Sequence, residues 1–143
     1  MGRETKKIDA KGRFFLSTKL KESMGKELVV TNSLDVGYLC VYTQEEFEEF
    51  KKKIAKLDTF KKQVRLLTRV LIGESEQVSV DSQGRISVSS ELWDRIGAKP
   101  GCEICLFPVD GKIDICTKEH YDNEDHDLSE IEGLETLYNG IGI

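Results

Sequence analysis

Ile8-Asp9-Ala10-Lys11-Gly12-Arg13 returns later in the chain as Val80-Asp81-Ser82-Gln83-Gly84-Arg85. Each copy reads apolar, Asp, two polar-leaning residues, Gly, Arg. The copies lie 72 residues apart, and the offset persists beyond the motif: Leu16 falls on Val88, Ser17 on Ser89, Leu20 on Leu92, Met24 on Ile96 and Gly25 on Gly97. In a chain of 143 residues, two copies describe a tandem of one small unit and not a solenoid.

The motif has a local physical sense. Gly12 and Gly84 can take a positive φ at little steric cost. Asp9 and Asp81 can accept backbone N–H bonds across a turn. Each Arg opens an alternating run, Arg13-Phe14-Phe15-Leu16 and Arg85-Ile86-Ser87-Val88. The reading is strand, tight turn, strand, twice over. The Asp then lies close enough to orient the Arg by a charge-assisted bond.

The rest of each unit follows the same order. Arg3 to Ile8 and Arg13 to Leu16 read as strands, and Ser17 or Thr18 caps a short helix that ends at Gly25. Leu28 to Thr31 and Tyr38 to Tyr42 are the next strands. In the second unit, Gln77 to Val80 and Arg85 to Val88 are strands, a helix runs near Ser90 to Ile96, and Glu103 to Phe107 and Lys112 to Cys116 complete the set. Between the units, Thr43 with Glu46 forms a capping box. Phe47, Phe50, Ile54 and Leu57 follow it at helical spacing. A second helix, capped by Asp58 or Thr59, carries Phe60, Val64, Leu67 and Leu71 on one stripe and ends at Gly73. The expected divisions are residues 1–43, a first unit; 44–73, a helical hairpin; 74–117, a second unit; and 118–143, a helix remnant with a loose acidic tail. A unit this small has exposed edges, so two copies gain by intertwining and burying each other's apolar faces.

Net charge is −5, but its distribution is uneven. Residues 1–26 carry +5, whereas residues 119–143 carry −8 with no Lys or Arg. No apolar run approaches the roughly 20 residues of a membrane span. No leader is expected at the N-terminus, so the four cysteines are expected as thiols in a reducing cytoplasm. Cys102-Glu103-Ile104-Cys105 has CxxC spacing, but residues three apart on a strand face opposite sides, and buried small apolar residues are the plainer account. His120 and His126 stand in the acidic tail, where a metal site is the less economical reading. No nucleophile–base set, P-loop or cofactor motif is present in the sequence. A non-enzyme with no cofactor, metal or small-molecule substrate is expected.

Two Asp-x-x-Gly-Arg turns inside such units resemble the AbrB-type swapped-hairpin DNA-binding fold. Two copies in one chain, separated by a helical hairpin, resemble the MraZ family of bacterial transcriptional regulators over about residues 3 to 121. The stretch Arg65-Leu66-Leu67 through Leu71-Ile72-Gly73 also resembles that family. The resemblance implies an α+β fold: a pseudo-twofold duplicated AbrB-like swapped-hairpin β-barrel with the helical hairpin inserted. It implies a cytoplasmic, nucleoid-associated regulator of the division and cell-wall gene cluster. Such a protein binds short repeats in promoter double-stranded DNA as a ring-like homo-oligomer. By that resemblance Arg13 contacts DNA, oriented by Asp9, and Arg85 with Asp81 matches in the second copy. Lys11, Arg3, Lys6 and Lys7 add salt-sensitive phosphate attraction. The family's Pro after each Arg is replaced by Ser17 and Ser90 near those places, and the second motif carries Ser82 and Gln83 where cations would serve DNA. The bland alternative for both Asp–Arg pairs is a structural clasp of the turn. The alternative function is an antitoxin-like, partner-binding module on the same fold.

Overall fold

A computed structural model describes residues 2–142. The first unit comprises β1 (Glu4–Lys7), β2 (Arg13–Phe15), α1 (Thr18–Met24), β3 (Glu27–Asn32) and β4 (Leu39–Thr43). The helices α2 (Gln44–Ala55) and α3 (Lys62–Thr68) follow, and a π-helical turn at Arg69–Gly73 closes the insertion. The second unit comprises β5 (Glu76–Ser79), β6 (Arg85–Ser87), α4 (Ser90–Arg95), β7 (Glu103–Val109) and β8 (Lys112–Thr117). Then come α5 (Lys118–Asn123), a 3-10 turn at Leu128–Glu130 and α6 (Leu134–Gly140).

Six strands form one antiparallel sheet in the order β1-β7-β8-β4-β3-β5, and β2 pairs with β6 in a separate ribbon. Exchanging each first-unit strand for its second-unit counterpart returns the same order read backwards. The units are interleaved: β1 pairs with β7 across the repeat, and β5 pairs with β3. The fold is α+β with a largely antiparallel sheet.

The sheet does not close into the expected barrel. Among the described residues it ends at β1 and β5, which pair on one side only, while β2 and β6 pair only with each other. Across the turns, Asp9 N–H donates to the Arg13 carbonyl and Asp81 N–H to the Arg85 carbonyl, and β2 and β6 then form their ladder with each other instead of with β1 and β5.

The core lies between the sheet, the ribbon and the two short helices. Phe14, Leu16, Leu20 and Met24 meet their repeat counterparts Ile86, Val88, Leu92 and Ile96 there, with Trp93, Ile104, Leu106, Ile113 and Ile115. Ser17 and Ser89 cap the helices, each accepting from the amide three residues on. Ser17 also donates to Glu4 at 2.8 Å. A serine thus starts each helix through a side-chain cap where Pro would do so through a fixed φ.

The insertion departs further from expectation. Thr43 caps α2 by accepting from the Glu46 amide, but its own amide donates to the Gly111 carbonyl, so only half of the capping box forms. Phe47 packs over Val29, Cys40 and Tyr42, with Phe50 against them, whereas Leu57 is exposed. Lys61 stands at the N-cap of α3 with no side-chain cap bond, because Asp58 is spent on a turn through the Phe60 amide. Phe60 therefore sits outside the helix, 92% exposed, and α3 buries no residue. The π turn moves Leu71 off the stripe and into the molecule. Thr31 and Asn32 on β3 donate to the carbonyls of Leu71 and Val70, at 2.6 and 2.9 Å. The tail folds into short helical pieces that bury no residue.

The cysteines separate as alternation requires. Cys105 and Cys116 are buried and directly paired in register between β7 and β8, Cys40 is buried, and Cys102 is half-buried against the inner core. Burial pushes the Cys40 and Cys116 thiols up to about 11. His120 lies on α5, edge-on to Tyr38, and His126 stacks on Tyr121.

Candidate nucleic-acid interface

The two Asp-to-Arg turns are the same structure built twice. In the first, Asp9 Oδ1 accepts the Lys11 and Arg13 amides, both at 2.9 Å, and Asp9 Oδ2 accepts Arg13 Nε at 2.8 Å. The backbone closes it with Asp9 N–H donating to Arg13 at 2.8 Å and Gly12 N–H donating to Asp9 at 3.1 Å. In the second, Asp81 accepts the Gln83 and Arg85 amides at 2.9 Å and Arg85 Nε at 2.8 Å. Gly12 and Gly84 take φ of 77° and 83°, the left-handed region that an Asp-to-Gly turn needs and a side chain resists.

The electrostatics follow from the bonds. The backbone amide of Arg13 does most to hold the Asp9 carboxyl below the usual carboxylate range; desolvation opposes it, and the guanidinium and the Lys11 amide add to the lowering. Asp81 is lowered in the same way by Arg85 and Gln83. Each Arg is thus pinned at Nε by an ionised partner. Among the described residues, no hydrogen bond or ion pair engages the terminal Nη atoms of either arginine. Their side chains keep 25% and 18% of their surface exposed. A guanidinium fixed at its stem and open at its fork is set up for two parallel bonds to a base edge or a phosphate.

Both forks belong to one surface. In the β2–β6 ribbon Arg13 stands opposite Ser87, Phe14 opposite Ile86, and Phe15 opposite Arg85. Phe14 and Ile86 point into the core, so Arg13, Phe15, Arg85 and Ser87 all face outward. The units lock this face together. Leu16 N–H donates to the Gly84 carbonyl at 2.9 Å, and Val88 N–H donates to the Gly12 carbonyl at 3.2 Å.

The repeat is broken at one pair of positions. Each short helix sends one side chain over the other unit's turn. Trp93 lies over Gly12 and donates Nε1–H to its carbonyl at 2.9 Å. Lys21, at the matching position, lies over Gly84, where a methyl group would meet its Nζ at 2.9 Å. The groove between helix and turn is about 300 Å³ on the Trp93 side and about 620 Å³ on the Lys21 side. The second turn lacks a loop cation, having Gln83 where the first has Lys11, and Lys21 from the first unit stands beside it.

Not every candidate cation gathers here. Lys11 is exposed on its turn. Just before β1, Arg3 lies over the Tyr121 ring at 5.4 Å, and on β1 Lys6 Nζ stands 3.8 Å from Glu4. Lys7 is exposed at the end of β1. Among the described residues, no hydrogen bond or ion pair ties these three to either turn. Sequence reasoning missed Lys21, Trp93 and Phe15. The 72-residue offset held the signal, since it sets Lys21 against Trp93 and Phe15 against Ser87.

A family model described as "MraZ protein, putative antitoxin-like" matches residues 1–70, stopping short of the second turn. The chain is 33% identical over 142 residues to the transcriptional regulator MraZ of Thermoanaerobacter sp. (strain X514), covering 96% of this chain and 97% of that protein. It is 35% identical over 127 residues to the MraZ of Lachnoclostridium phytofermentans, covering 89% and 87%. Against the MraZ of Caldanaerobacter subterraneus subsp. tengcongensis it is 33% identical over 119 residues, covering 83% and 81%. With relatives 33–35% identical over 83–96% of its length, the chain belongs to the MraZ family of transcriptional regulators.

Proposed function

We propose that this protein regulates transcription by laying the β2–β6 ribbon in the major groove of promoter DNA. The observation that carries the reading is the pair of outward guanidiniums, each held at Nε by an aspartate with its fork open. A two-stranded ribbon fits the major groove, and an Arg fork matches the O6 and N7 acceptors of guanine. Lys11 and Lys21 flank the two turns and supply phosphate attraction. Both copies of the motif take part, the second with a cation borrowed from the first unit.

The interleaved strand order and the paired ribbon support a swapped-hairpin unit of the AbrB type, built here from two repeats in one chain. The divisions 1–43, 44–73, 74–117 and 118–143 serve that arrangement. One copy presents few cations, so reading of spaced repeats in the promoter of the division and cell-wall gene cluster rests on avidity in a ring-like homo-oligomer. The exposed Leu57, Phe60 and Leu66 of the helical insertion support self-association. Localisation with the nucleoid in the cytoplasm follows from that role, and no helix among the described residues is long and apolar enough to cross a membrane.

A mobility-shift titration tests the reading, using the promoter fragment and a scrambled fragment at two salt concentrations. Arg13→Ala removes the preference for the promoter fragment if the reading holds. The family model's antitoxin-like description and the −8 charge of residues 119–143 favour a second reading, a protein-binding module. Under that reading Arg13→Ala leaves the shift as it was.

A further inference from the structure

Phe15 is the odd residue of the ribbon's outward face. It is 49% exposed, while its counterpart in the other unit is Ser87. It takes no part in either apolar core cluster. Its ladder partner is Arg85, whose guanidinium carbon lies 5.9 Å from the ring centre. Arg85 is thus held from two sides, by Asp81 at Nε and by the aromatic face beneath it.

We propose that Phe15 is a specificity-determining residue that contacts the 5-methyl group of a thymine next to the base pair read by Arg85. The inference rests on the DNA-binding reading above. Directly paired residues of a ribbon have Cα atoms roughly 4.5–5.5 Å apart, not far from the ~3.4 Å rise of a base step. A ribbon that brings Arg85 to a base edge therefore brings the Phe15 ring to a neighbouring one. The apolar feature of the major groove is the thymine methyl, and a phenyl ring contacts it without needing a hydrogen-bond partner. Ser87, opposite Arg13, offers no such contact. The two ends of the ribbon face then read differently, so a pseudo-symmetric protein binds an asymmetric site in one orientation.

The test prepares the promoter fragment once with thymine and once with uracil throughout, primers included, which removes every thymine methyl and keeps base pairing. Fluorescence anisotropy then gives the affinity of each variant for both probes. The wild-type protein prefers the thymine probe by about fourfold per methyl contacted. Phe15→Ser lowers that preference by the same factor, and Phe15→Leu, which stays apolar, retains it. The comparison of variant with probe isolates the Phe15 share from any other methyl contact. An unchanged preference in Phe15→Ser overturns the proposal, including where light scattering shows that the substitution changes the subunit number instead. Failure of the underlying reading looks different: wild-type protein would fail to separate the promoter from scrambled DNA on either probe. Phe15 faces outward, so melting temperatures of the variants are expected to match the wild type.

Discussion

Asp9 and Asp81 each satisfy two amides and one guanidinium, and everything the arginines do depends on those carboxylates being ionised. Both are held below the usual range, so the folded turn favours the charged form. A depressed carboxyl contributes stability above its unfolded pKa and loses it as pH falls through the lower folded value. The turns therefore stay intact from neutral pH to about 5 and open only in acid, below the ordinary Asp value of about 3.9. Carboxyl carbon NMR titration checks this: midpoints below the ordinary value are expected, and midpoints at or above it contradict the geometry. Asp9→Asn keeps an acceptor for the two amides but loses the ionic hold on Nε. It is expected to weaken promoter binding by less than Arg13→Ala, which costs about tenfold to a hundredfold, the ~1–3 kcal/mol of a bidentate base contact. At this scale the sequence was readable, because Asp and Arg four residues apart meet inside one turn. Lys21 and Trp93 were not, because they reach each turn from the other unit, and no local spacing announces that.

The helices show why element boundaries were harder to read than element order. The stripe Phe60, Val64, Leu67 and Leu71 reads as one continuous face, but the π turn inserts a residue into the spiral and changes its phase. That turn leaves carbonyls that β3 must satisfy, and Thr31 and Asn32 do so from buried positions. Thr31→Val keeps the shape and orphans the Leu71 carbonyl, so urea unfolding should show a loss of about 1–3 kcal/mol. Trp93→Phe fills most of the space and removes the 2.9 Å indole bond to the Gly12 carbonyl, which keeps the Val88 amide as its donor. A smaller loss than for Thr31→Val, about 0.5–1.5 kcal/mol, is expected by the same measurement. Thr43→Ala removes a cap and costs about 1 kcal/mol. Lys21→Gln, at the position matching Trp93, should leave the unfolding midpoint unchanged, because the side chain covers Gly84 without a hydrogen bond.

Across the whole molecule, the duplication was legible and its closure was not. The 72-residue offset announces two units. Pairing of β1 with β7 and of β5 with β3 depends on residues far apart in the chain. The β2–β6 ribbon, separate from the sheet in place of a closed barrel, likewise pairs strands from the two units. That ribbon gathers one arginine from each unit onto one face. Lys21 and Lys11 should then contribute alike to phosphate attraction. Replacing either with Gln should lower the slope of log affinity against log salt by about 0.9 for each phosphate left without its cation. Equal participation of the two turns is the core of the account, and Arg85→Ala beside Arg13→Ala measures it most directly. In anisotropy titrations with the promoter fragment, both variants should remain folded and both should lose the preference for promoter over scrambled DNA. Promoter preference at the wild-type level in either variant would contradict the account.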